Sequence, residues 1–271
     1  MAESGRRERI MIACVTFETV MVTDPIKFYE STKVHLIHYI NEASASKQVY
    51  LDFYNTVCDQ ITDYSSEIEI IEHKANVSDF RVMLKEIHSI VDKERQKSNN
   101  NDIFINVSSG SSEYLAAATI VAMMFPGVIP FSVSTNEFMV NAKAYYDDNG
   151  KPIGLSKSVK EPKSISRFKI DGPDRNLVLG LRLLYLSNSK GKKTKGSEMI
   201  RLLKLNNLWF RGEFPEKTAQ RSESVYYNRD FVSEWLKKDW VFQDKHSKTY
   251  ILTENGKATI STFYCDEKLQ L

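Results

Sequence analysis

The 271-residue chain has few of the features that mark membrane or secreted proteins. No stretch reaches the roughly 18 uncharged apolar residues that a membrane-spanning helix needs, and the longest apolar run, 115–125, has the length of a buried helix. The first residues include acids and lead directly into an apolar strand, so the N-terminus lacks the apolar core of a secretion signal. These absences predict a cytoplasmic protein that does not contact a membrane.

Cysteine is scarce, and the histidines are scattered. Cys14, Cys58 and Cys265 are odd in number and far apart, which fits neither a disulfide framework nor a set of metal ligands. His35 and His38 are three residues apart in a predicted strand, so they should lie on opposite faces of the sheet. The sequence therefore predicts a reducing compartment, no metal and no bound cofactor.

Three familiar catalytic and cofactor motifs are also missing. No Gly-x-Gly-x-x-Gly follows the first predicted strand, which argues against a conventional NAD or FAD site. No Gly-Lys-Ser/Thr ends a glycine-rich loop, so a P-loop NTPase is excluded. No Gly-x-Ser-x-Gly nucleophile elbow is present. We therefore assign no catalytic residue and expect a protein that is not an enzyme.

The chain does have a regular alternation of apolar strands and helical segments. Predicted strands cover 10–15, 34–40, 68–71, 102–107 and 128–133, and predicted helices cover 26–31, 47–61, 78–91 and 111–125. Asp24 and Pro25 form the predicted start of the first helix, and Ser78 is the predicted N-cap of the third. The alternation predicts an α/β fold with a Rossmann-like, mostly parallel sheet covered by helices on both faces.

The domain organisation follows from the same pattern and from composition. Residues 1–156 form the predicted ligand-sensing and dimerisation domain, in which 142–155 read as a hairpin turning at 147–150. Residues 157–170 are rich in Lys, Ser and Pro and form the predicted linker. Residues 171–271 form the second predicted domain.

The last fifty residues have the pattern of a winged helix-turn-helix. A helix over 222–238, with Val225, Val232, Trp235 and Leu236 on its apolar side, precedes a strand at 240–242, a polar tip at 244–247 and a return strand over 250–256. Helices over 177–185 and 197–206 come before it. This order presents a helix to the major groove of DNA and a loop to the backbone.

Charge supports DNA as the partner of the second domain. Residues 171–271 hold 18 Lys and Arg against 13 Asp and Glu, whereas residues 1–170 hold 19 against 22. A basic domain beside a mildly acidic one is typical of DNA binding by the former. A winged helix that serves only dimerisation or protein docking remains open. The predicted DNA-contacting residues are Arg221, Ser222, Ser224, Tyr226, Tyr227, Asn228 and Arg229 on the helix and Lys245, His246 and Lys248 on the wing.

The predicted ligand site lies at the ends of the strands in the first domain. In parallel sheets, ligands bind beyond the carboxyl ends of the strands, near the point where strand order reverses. The loop after the fourth strand combines serines, a glycine and the start of an apolar helix, which suits a phosphate. A serine-capped turn without a ligand is an equally open interpretation. The candidate ligand-binding residues are Thr16, Phe17, Glu18, Asn106, Ser108, Ser109, Gly110, Ser111, Ser112, Ser134 and Thr135.

This combination of a nucleotide-fold domain, a Ser109-Gly110-Ser111 loop and a C-terminal winged helix resembles the CARF-domain transcriptional regulators, the CRISPR-associated Rossmann-fold sensors. Ser112 departs from the family pattern, in which a Lys or Arg is common at that place. The resemblance implies a role in antiviral defence and a homodimer whose sensor domains share one pocket for a cyclic oligoadenylate effector. It also implies coupling of that pocket to double-stranded DNA binding.

Two alternatives to the regulator remain at this stage. Some members of the resembling family cleave their cyclic ligand, so a ring nuclease is one alternative. No His or Lys stands in the loop 108–112 to act as a general base, which disfavours it. The other alternative is a winged helix that docks a protein partner.

Overall fold

The computed structural model describes residues 7–39, 47–139, 146–147, 149–189, 194–212 and 219–271. The chain divides into two compact units, unit 1 (Met1–Asp171) and unit 2 (Gly172–Leu271). No helix among the described residues is both long enough and apolar enough to span a bilayer.

Unit 1 is a Rossmann-like α/β domain, which confirms the predicted fold class. Its six-stranded sheet has the order β3-β2-β1-β4-β5-β8; the first five strands are parallel, and β8 runs antiparallel to β5. Strand order reverses between β1 and β4, so the crevice beyond their carboxyl ends is the expected ligand position. The elements are β1 (Arg9–Cys14), α1 (Val20–Phe28), β2 (Lys33–His38), α2 (Lys47–Tyr64), β3 (Glu69–Lys74), α3 (Phe80–Lys97), β4 (Asp102–Asn106), α4 (Ser112–Met124), β5 (Val128–Ser132), β6 (Thr135–Phe138), β7 (Ser156–Val159) and β8 (Lys163–Ser164).

Both faces of the central strands are buried, which explains their nearly continuous apolar sequence. Along β1, Met11 and Ala13 belong to one hydrophobic core, whereas Ile10 and Ile12 belong to the core on the opposite face. The first core also contains residues of α1 and α2, and the second contains residues of α3 and α4. The sheet is therefore the middle layer between two pairs of helices.

The first helix begins earlier than predicted, and Pro25 lies inside it. Helix α1 starts at Val20, so the interpretation of Asp24 and Pro25 as a helix start is wrong. Proline has no N–H, which leaves the carbonyl of Met21, one turn earlier, without its helical donor. The side chain of Asn106 donates to that carbonyl at 2.8 Å and so replaces the missing hydrogen bond. A tertiary contact thus compensates for the proline.

The start of α3 also differs from the prediction by one residue. Asp79 is the N-cap, and its carboxylate accepts from the N–H groups of Arg81 and Val82 at 2.9 and 3.1 Å. The predicted N-cap Ser78 is therefore wrong, and its own N–H donates to Asn76. Asp and Ser are comparably good N-caps, so propensity alone does not choose between neighbours.

Much of the predicted linker belongs to unit 1. Strand β7 pairs with β6, strand β8 pairs with β5, and Ile165 donates its N–H to Pro130 at 2.8 Å. The interpretation of 157–165 as a free linker is therefore wrong. Its Lys and Ser side chains fit an exposed edge of the sheet, where charge discourages further strand pairing. The predicted hairpin 142–155 lies partly outside the described residues, which include the isolated Tyr146–Pro152 bridge.

Unit 2 has the element order of a winged helix-turn-helix: three helical segments, then an antiparallel hairpin and a last helix. We call the continuous helical segment 219–237 the reading helix. The elements are α5 (Arg175–Ser189), α6 (Gly196–Leu205), α7 (Ala219–Tyr227), a π-helical turn (Asn228–Val232), α8 (Ser233–Lys237), β9 (Val241–Gln243), β10 (Tyr250–Leu252) and α9 (Glu254–Thr262).

The buried stripe of the reading helix differs from the predicted one. Tyr227, Phe231 and Trp235 are buried at spacings of four residues, which the wider π-helical turn keeps on one face. Val225 is 56% exposed and Leu236 is 44% exposed, so their assignment to the apolar side is wrong. The prediction took the whole segment as a regular α-helix. The π-helical turn rotates the residues after it relative to those before it, so the buried face falls on other positions.

The return strand of the wing is shorter than predicted. Strand β10 ends at Leu252, and Thr253 caps α9 by accepting from the N–H of Gly256 at 3.0 Å. The predicted continuation of the strand to Gly256 is therefore wrong. A Cβ atom on Gly256 would clash with the carbonyl oxygen of Trp240, so the close approach of α9 to the hairpin requires glycine at this position.

Candidate functional site

The loop 108–112 lies beyond the carboxyl ends of β1 and β4, but two of its hydroxyls are used by the fold. Ser109 is buried and donates its hydroxyl to the carbonyl of Cys14 at 2.5 Å, which joins the loop to β1. The Ser108 hydroxyl oxygen accepts from the N–H of Val133 at 2.7 Å, which joins the loop to the end of β5. Both serines hold the crevice together across three strands.

Ser111 and Asn106 also have structural partners. Ser111 is the N-cap of α4: its hydroxyl oxygen accepts from the N–H of Tyr114 at 3.0 Å, and its hydroxyl donates to the carbonyl of Val77. Asn106 accepts from the N–H of Ser108 at 2.9 Å in addition to donating to the carbonyl of Met21 in α1. The predicted polar side chains are therefore brought together, and their first role is to shape the loop.

Gly110 is required by packing inside the loop. Its φ of +127° lies in the region that side chains rarely adopt. A Cβ atom there would lie 2.7 Å from Cδ1 of Tyr114 and 2.9 Å from Cβ of Cys14. The glycine thus allows the backbone to approach its own chain and not, as predicted, a ligand.

Backbone donors are what the loop leaves available. Among the described residues, the N–H groups of Ser109, Gly110, Ser112 and Glu113 donate to no protein acceptor. Two of them belong to the first turn of the thirteen-residue helix α4, whose positive dipole end faces the crevice. Ser112 is exposed, and its hydroxyl donates to the Glu113 carboxylate at 3.1 Å. The arrangement can donate several hydrogen bonds to an anion through its backbone.

The loop after β1 makes mostly internal contacts. The Phe17 ring lies 4.9 Å from that of Tyr50 and 5.7 Å from that of Phe53. Glu18 accepts from the N–H and hydroxyl of Ser156 at 3.3 and 3.4 Å, and burial raises the pKa of its carboxyl despite these hydrogen bonds. These contacts give Phe17 and Glu18 structural roles at this edge.

Ser134 and Thr135 reach the same edge from the end of β5. The Thr135 hydroxyl lies 3.0 Å from that of Ser156, and the exposed Ser134 accepts through its carbonyl from the N–H of Lys160 at 2.9 Å. Thr16, in the loop after β1, is half-buried. Ser156 thus connects two predicted loops, and no motif in the sequence marked it.

Gly154 explains how the segment before β7 covers the β1 loop. Its φ is +74°, and a Cβ atom there would lie 2.9 Å from the carbonyl oxygen of Phe17 and 2.7 Å from a carboxylate oxygen of Glu18. Thr19 also donates its hydroxyl to the carbonyl of Ile153 at 3.1 Å. The crevice is therefore lined on one side by chain that lies far away in sequence.

Cys14 stands at the base of the crevice and is chemically quiet. The residue is fully buried, and burial raises the pKa of its thiol to about 12. Thiolate is the reactive form of cysteine, so this side chain does not act as a nucleophile near neutral pH.

A buried polar cluster occupies the α3 face of β2. His35 Nδ1 lies 2.9 Å from His73 Nε2, and His35 Nε2 lies 3.4 Å from the buried Glu94, which also faces Lys33 at 3.6 Å. His73 Nδ1 lies 2.7 Å from Glu86. Within the described ranges, no group of three or more His, Cys, Asp or Glu side chains is arranged to hold a metal.

His38 lies on the opposite face of β2, as the strand periodicity predicts. Its ring stacks on Tyr54 at 4.0 Å, and its Nε2 lies 2.8 Å from Glu72. His35 and His38 therefore belong to separate polar groups.

On the reading helix, several predicted DNA contacts face inward or toward their own helix. Tyr227 is only 4% exposed and its ring belongs to the hydrophobic core, so the ring is not available for contact with DNA. Ser224 donates to the carbonyl of Gln220 at 2.9 Å, and Asn228 donates to the carbonyl of Ser224 at 2.8 Å. Arg221 is exposed and Ser222 is half-buried at the start of the helix.

Arg229 belongs to a compact cluster of charges and rings. Asp230 accepts from Nε of Arg229 at 2.7 Å and from Nε of Arg211 at 2.9 Å. The two guanidinium carbons lie 4.6 Å (Arg229) and 4.9 Å (Arg211) from the centroid of the Tyr226 ring. Hydrogen bonds from Arg229 and then Arg211 lower the pKa of the Asp230 carboxyl, although partial burial opposes them. Arg211 was not among the residues predicted from the sequence to contact DNA.

The predicted wing residues lie on an exposed hairpin tip. Lys245, His246 and Lys248 are exposed. Asp244 shapes the tip by accepting from the N–H groups of His246 and Ser247 at 3.2 and 2.6 Å. The tip thus presents two lysines and a histidine on a turn fixed by its own hydrogen bonds.

Comparisons with known proteins gave one matching family model. A protein-family model described as "HFX_2341_N:-like, N-terminal" matches residues 9–138, which extend from β1 to β6. No curated protein matches the chain.

Solved structures with detectable similarity include three proteins at 13% identity. Csm6 from Enterococcus italicus, bound to cyclic hexa-2'-fluoro-hexa-dAMP, gives a TM-score of 0.42 over 86% of this chain and 58% of its own. Can2 from Sulfobacillus thermosulfidooxidans, in complex with cyclic tetra-adenylate, gives 0.35 over 93% and 62%. Protein VC1899 from Vibrio cholerae gives 0.34 over 93% and 64%. The chain thus spans less than two thirds of each of these proteins.

Proposed function

We propose that the chain is a ligand-responsive DNA-binding regulator. Unit 1 binds a phosphate-bearing nucleotide, with cyclic oligoadenylate as the first candidate, and unit 2 binds double-stranded DNA. The observation that carries the ligand half is the group of backbone N–H donors of Ser109, Gly110, Ser112 and Glu113, which have no acceptor among the described residues, at the point where strand order reverses.

The chemistry of these donors favours a phosphate. Backbone N–H groups at a helix start donate to anions, and the helix dipole adds a favourable field. The serine hydroxyls of the loop already bond to the protein, so the ligand meets the unpaired backbone N–H donors. A homodimer with a two-fold axis beside this edge would bring two such helix starts to one ring of phosphates. The resemblance to CARF-domain regulators supplies cyclic oligoadenylates as probes.

The DNA half of the proposal rests on exposed cations of unit 2. Arg221 and Arg229 lie on the reading helix, and Lys245 and Lys248 lie on the hairpin tip. A helix followed by such a hairpin fits a major groove and the adjacent phosphates. Ligand binding regulates DNA binding only if the ligand has different affinities for the two arrangements of the dimer.

Ser112→Pro tests the backbone donors directly. Ser112 is the first residue of α4, where proline fits the helix and removes only an N–H. Ser111 already has the extended backbone that precedes proline, with ψ of 164°. A hydrogen bond to a charged group contributes about 1.5–3 kcal/mol, so we expect affinity to fall by at least about tenfold. Ser112→Ala keeps the N–H and is the matched control, with wild-type affinity expected.

The measurement is calorimetric titration of the full chain with cyclic tetra-adenylate and cyclic hexa-adenylate, with linear oligoadenylate as a reference. Selective binding of one ring by two protomers supports the ligand half. Equal affinities of Ser112→Pro and Ser112→Ala contradict the role of the backbone donors. Absence of binding by either ring contradicts the choice of effector.

DNA binding is tested by fluorescence anisotropy with a random-sequence 20-base-pair duplex over a salt series. Each lysine that contacts phosphate adds about one unit to the slope of log affinity against log salt. We expect Lys245→Ala to reduce that slope and Lys257→Ala, in the last helix, to leave it unchanged. A wild-type protein that shows no salt-dependent binding contradicts the DNA half and favours a protein-docking winged helix.

Cleavage of the effector is the second candidate function, and the same titrations detect it. The loop contains no His or Lys, and the nearby Cys14 thiol is held protonated by burial. We therefore expect chromatography to recover the ring intact after incubation with the protein. Linear product that disappears in Ser112→Pro would identify a ring nuclease instead.

A further inference from the structure

We propose that a cavity in unit 2 binds a phosphate group. The cavity has a volume of about 450 Å³ and lies between the start of α6, the reading helix and the β9–β10 hairpin. Its polar lining includes Thr194, Lys195, Gly196, Tyr227, Asn228 and Lys248. The phosphate belongs either to a free nucleotide or to the backbone of DNA, and the two sources share this chemistry.

The charge of the lining selects an anion. Lys195 and Lys248 contribute two cations, and among the described residues no Asp or Glu lines the cavity. Two cavities of unit 1 differ in this respect: one of about 530 Å³ includes Glu8 and Glu67, and one of about 500 Å³ includes Glu94. Among these three cavities, only the one in unit 2 combines cations with neutral donors alone.

The start of α6 faces this cavity without a side-chain cap. Lys195 is the N-cap residue, and its side chain makes no capping hydrogen bond. Among the described residues, the N–H groups of Gly196 and Ser197 have no protein acceptor. The first turn of a ten-residue helix therefore offers unpaired donors and the positive end of its dipole.

Tyr227 provides an independent indication of a ligand. It is only 4% exposed, it lines the cavity, and within the described part of the chain its hydroxyl has no hydrogen-bond partner. Its ring lies beside the start of α6, since a Cβ atom on Gly196 would be 3.7 Å from the ring carbons Cδ1 and Cε1. The hydroxyl oxygen is not one of the fully buried atoms without a partner among the described residues, so it reaches the cavity, where a phosphate oxygen would accept from it.

The hairpin adds one further hydroxyl donor. Ser247 and Thr249 line the cavity, and their hydroxyl oxygens lie 2.5 Å apart. Two hydroxyls that share one hydrogen bond leave one hydrogen for another acceptor. Lys248, between them, has a φ of +59°, so the hairpin backbone holds this lysine in a fixed left-handed turn.

The test is a ¹⁵N–¹H NMR titration of the full chain with inorganic phosphate, with adenosine monophosphate and with a random-sequence 20-base-pair duplex, at constant ionic strength. We expect shifts in the amides of Gly196 and Ser197. Tyr227→Phe keeps the buried ring and loses only the hydroxyl, so we expect about tenfold weaker binding with the same fold. Lys195→Gln combined with Lys248→Gln should weaken binding further.

The matched control is Lys237→Gln combined with Lys257→Gln, which removes the same charge outside the cavity. If both double variants bind phosphate equally well, or if no probe shifts these amides, the proposal is overturned. Shifts with phosphate or the nucleotide support a site for a free ligand, and shifts with the duplex alone identify the DNA backbone as the source. Only the duplex arm rests on the proposed DNA binding. Phosphate binding without any duplex binding would refute the regulator and retain this site.

Discussion

Two buried histidines of unit 1 should make the protein lose stability as the pH falls from 7 to 5. Burial is the main cause that lowers the pKa of His35 to about 3, helped by the charges of His73 and Lys33, and burial lowers the pKa of His88 to about 4. An unfolded histidine titrates near 6.5. Between these values the unfolded chain binds more protons than the folded chain, so the free energy of unfolding rises with pH.

The size of the stability loss follows from the pH range between the pKa of the folded and that of the unfolded histidine. At pH 5 each unfolded histidine is mostly protonated, whereas each folded one is mostly neutral. Relative to pH 7, this difference lowers the free energy of unfolding by about 2 kcal/mol per histidine, or about 4 kcal/mol for the pair. His38, whose pKa burial also lowers, acts in the same direction. The pKa of Glu72 is lowered too, but a carboxyl loses its contribution below pH 4.5, outside this range.

The assay is urea unfolding of the full chain between pH 5 and 7, followed by far-ultraviolet circular dichroism. Tryptophan fluorescence does not report on unit 1, because Trp209, Trp235 and Trp240 all lie in unit 2. His88→Gln should make the pH dependence shallower by about 2 kcal/mol over the window, whatever its effect at pH 7. The control for a histidine substitution outside unit 1 is His246→Gln, at the exposed hairpin tip.

The result that refutes this reasoning is a wild-type protein with constant unfolding free energy from pH 7 to 5. Equal slopes for the wild type and His88→Gln would also refute it. Either outcome would mean that the folded protein accommodates a charged imidazole at these positions, through water or a local opening that burial alone does not reveal.

Three further substitutions test the packing of the two candidate sites. Gly110→Ala should destabilise unit 1 by about 2–4 kcal/mol, since it adds a clash to an unfavourable φ. Gly150 also has a positive φ but meets no neighbouring atom, so Gly150→Ala should cost about 1 kcal/mol in the same denaturation assay. Gly256→Ala should lower the urea midpoint of unfolding of unit 2, followed by tryptophan fluorescence. An added Cβ at Gly212 meets no neighbouring atom, so Gly212→Ala should unfold near the wild-type midpoint. Asn106→Ala should cost about 2–3 kcal/mol in urea, because a carbonyl of α1 loses its donor; a wild-type midpoint would contradict that role.

The sheet was predictable because burial on both faces leaves a strong sequence signal. The strand over 10–15 alternates between two apolar cores, so every position is apolar, and the loops between such runs are polar. The order of the strands in the sheet could not be predicted from these apolar segments. The short strands at 156–159 and 163–164 resembled a linker, because an exposed edge strand needs no apolar residues.

The predicted helix boundary was wrong where a tertiary hydrogen bond compensates for a residue that normally starts or ends a helix. The sequence marked Pro25 as a helix start, but Asn106 supplies the donor that the proline removes, so α1 continues through it. The predicted buried face of the reading helix was wrong for a different reason. With the π turn in the helix, Phe231 lies inward and Val225 is exposed. Neither a donor 81 residues away in sequence nor a π turn has a signature in local hydrophobic periodicity.

The candidate site shows why side-chain motifs and ligand donors need not coincide. The serines of the loop were the conspicuous feature of the sequence, yet Ser109 and Ser111 donate to carbonyls of neighbouring segments. Those hydrogen bonds fix the loop in a conformation in which the N–H groups of Ser109, Gly110, Ser112 and Glu113 have no acceptor among the described residues. Backbone donors are present in every sequence, and only the conformation decides which remain unpaired. A serine-to-alanine scan would therefore report mainly on folding, whereas Ser112→Pro removes a donor from a folded loop and reports on binding.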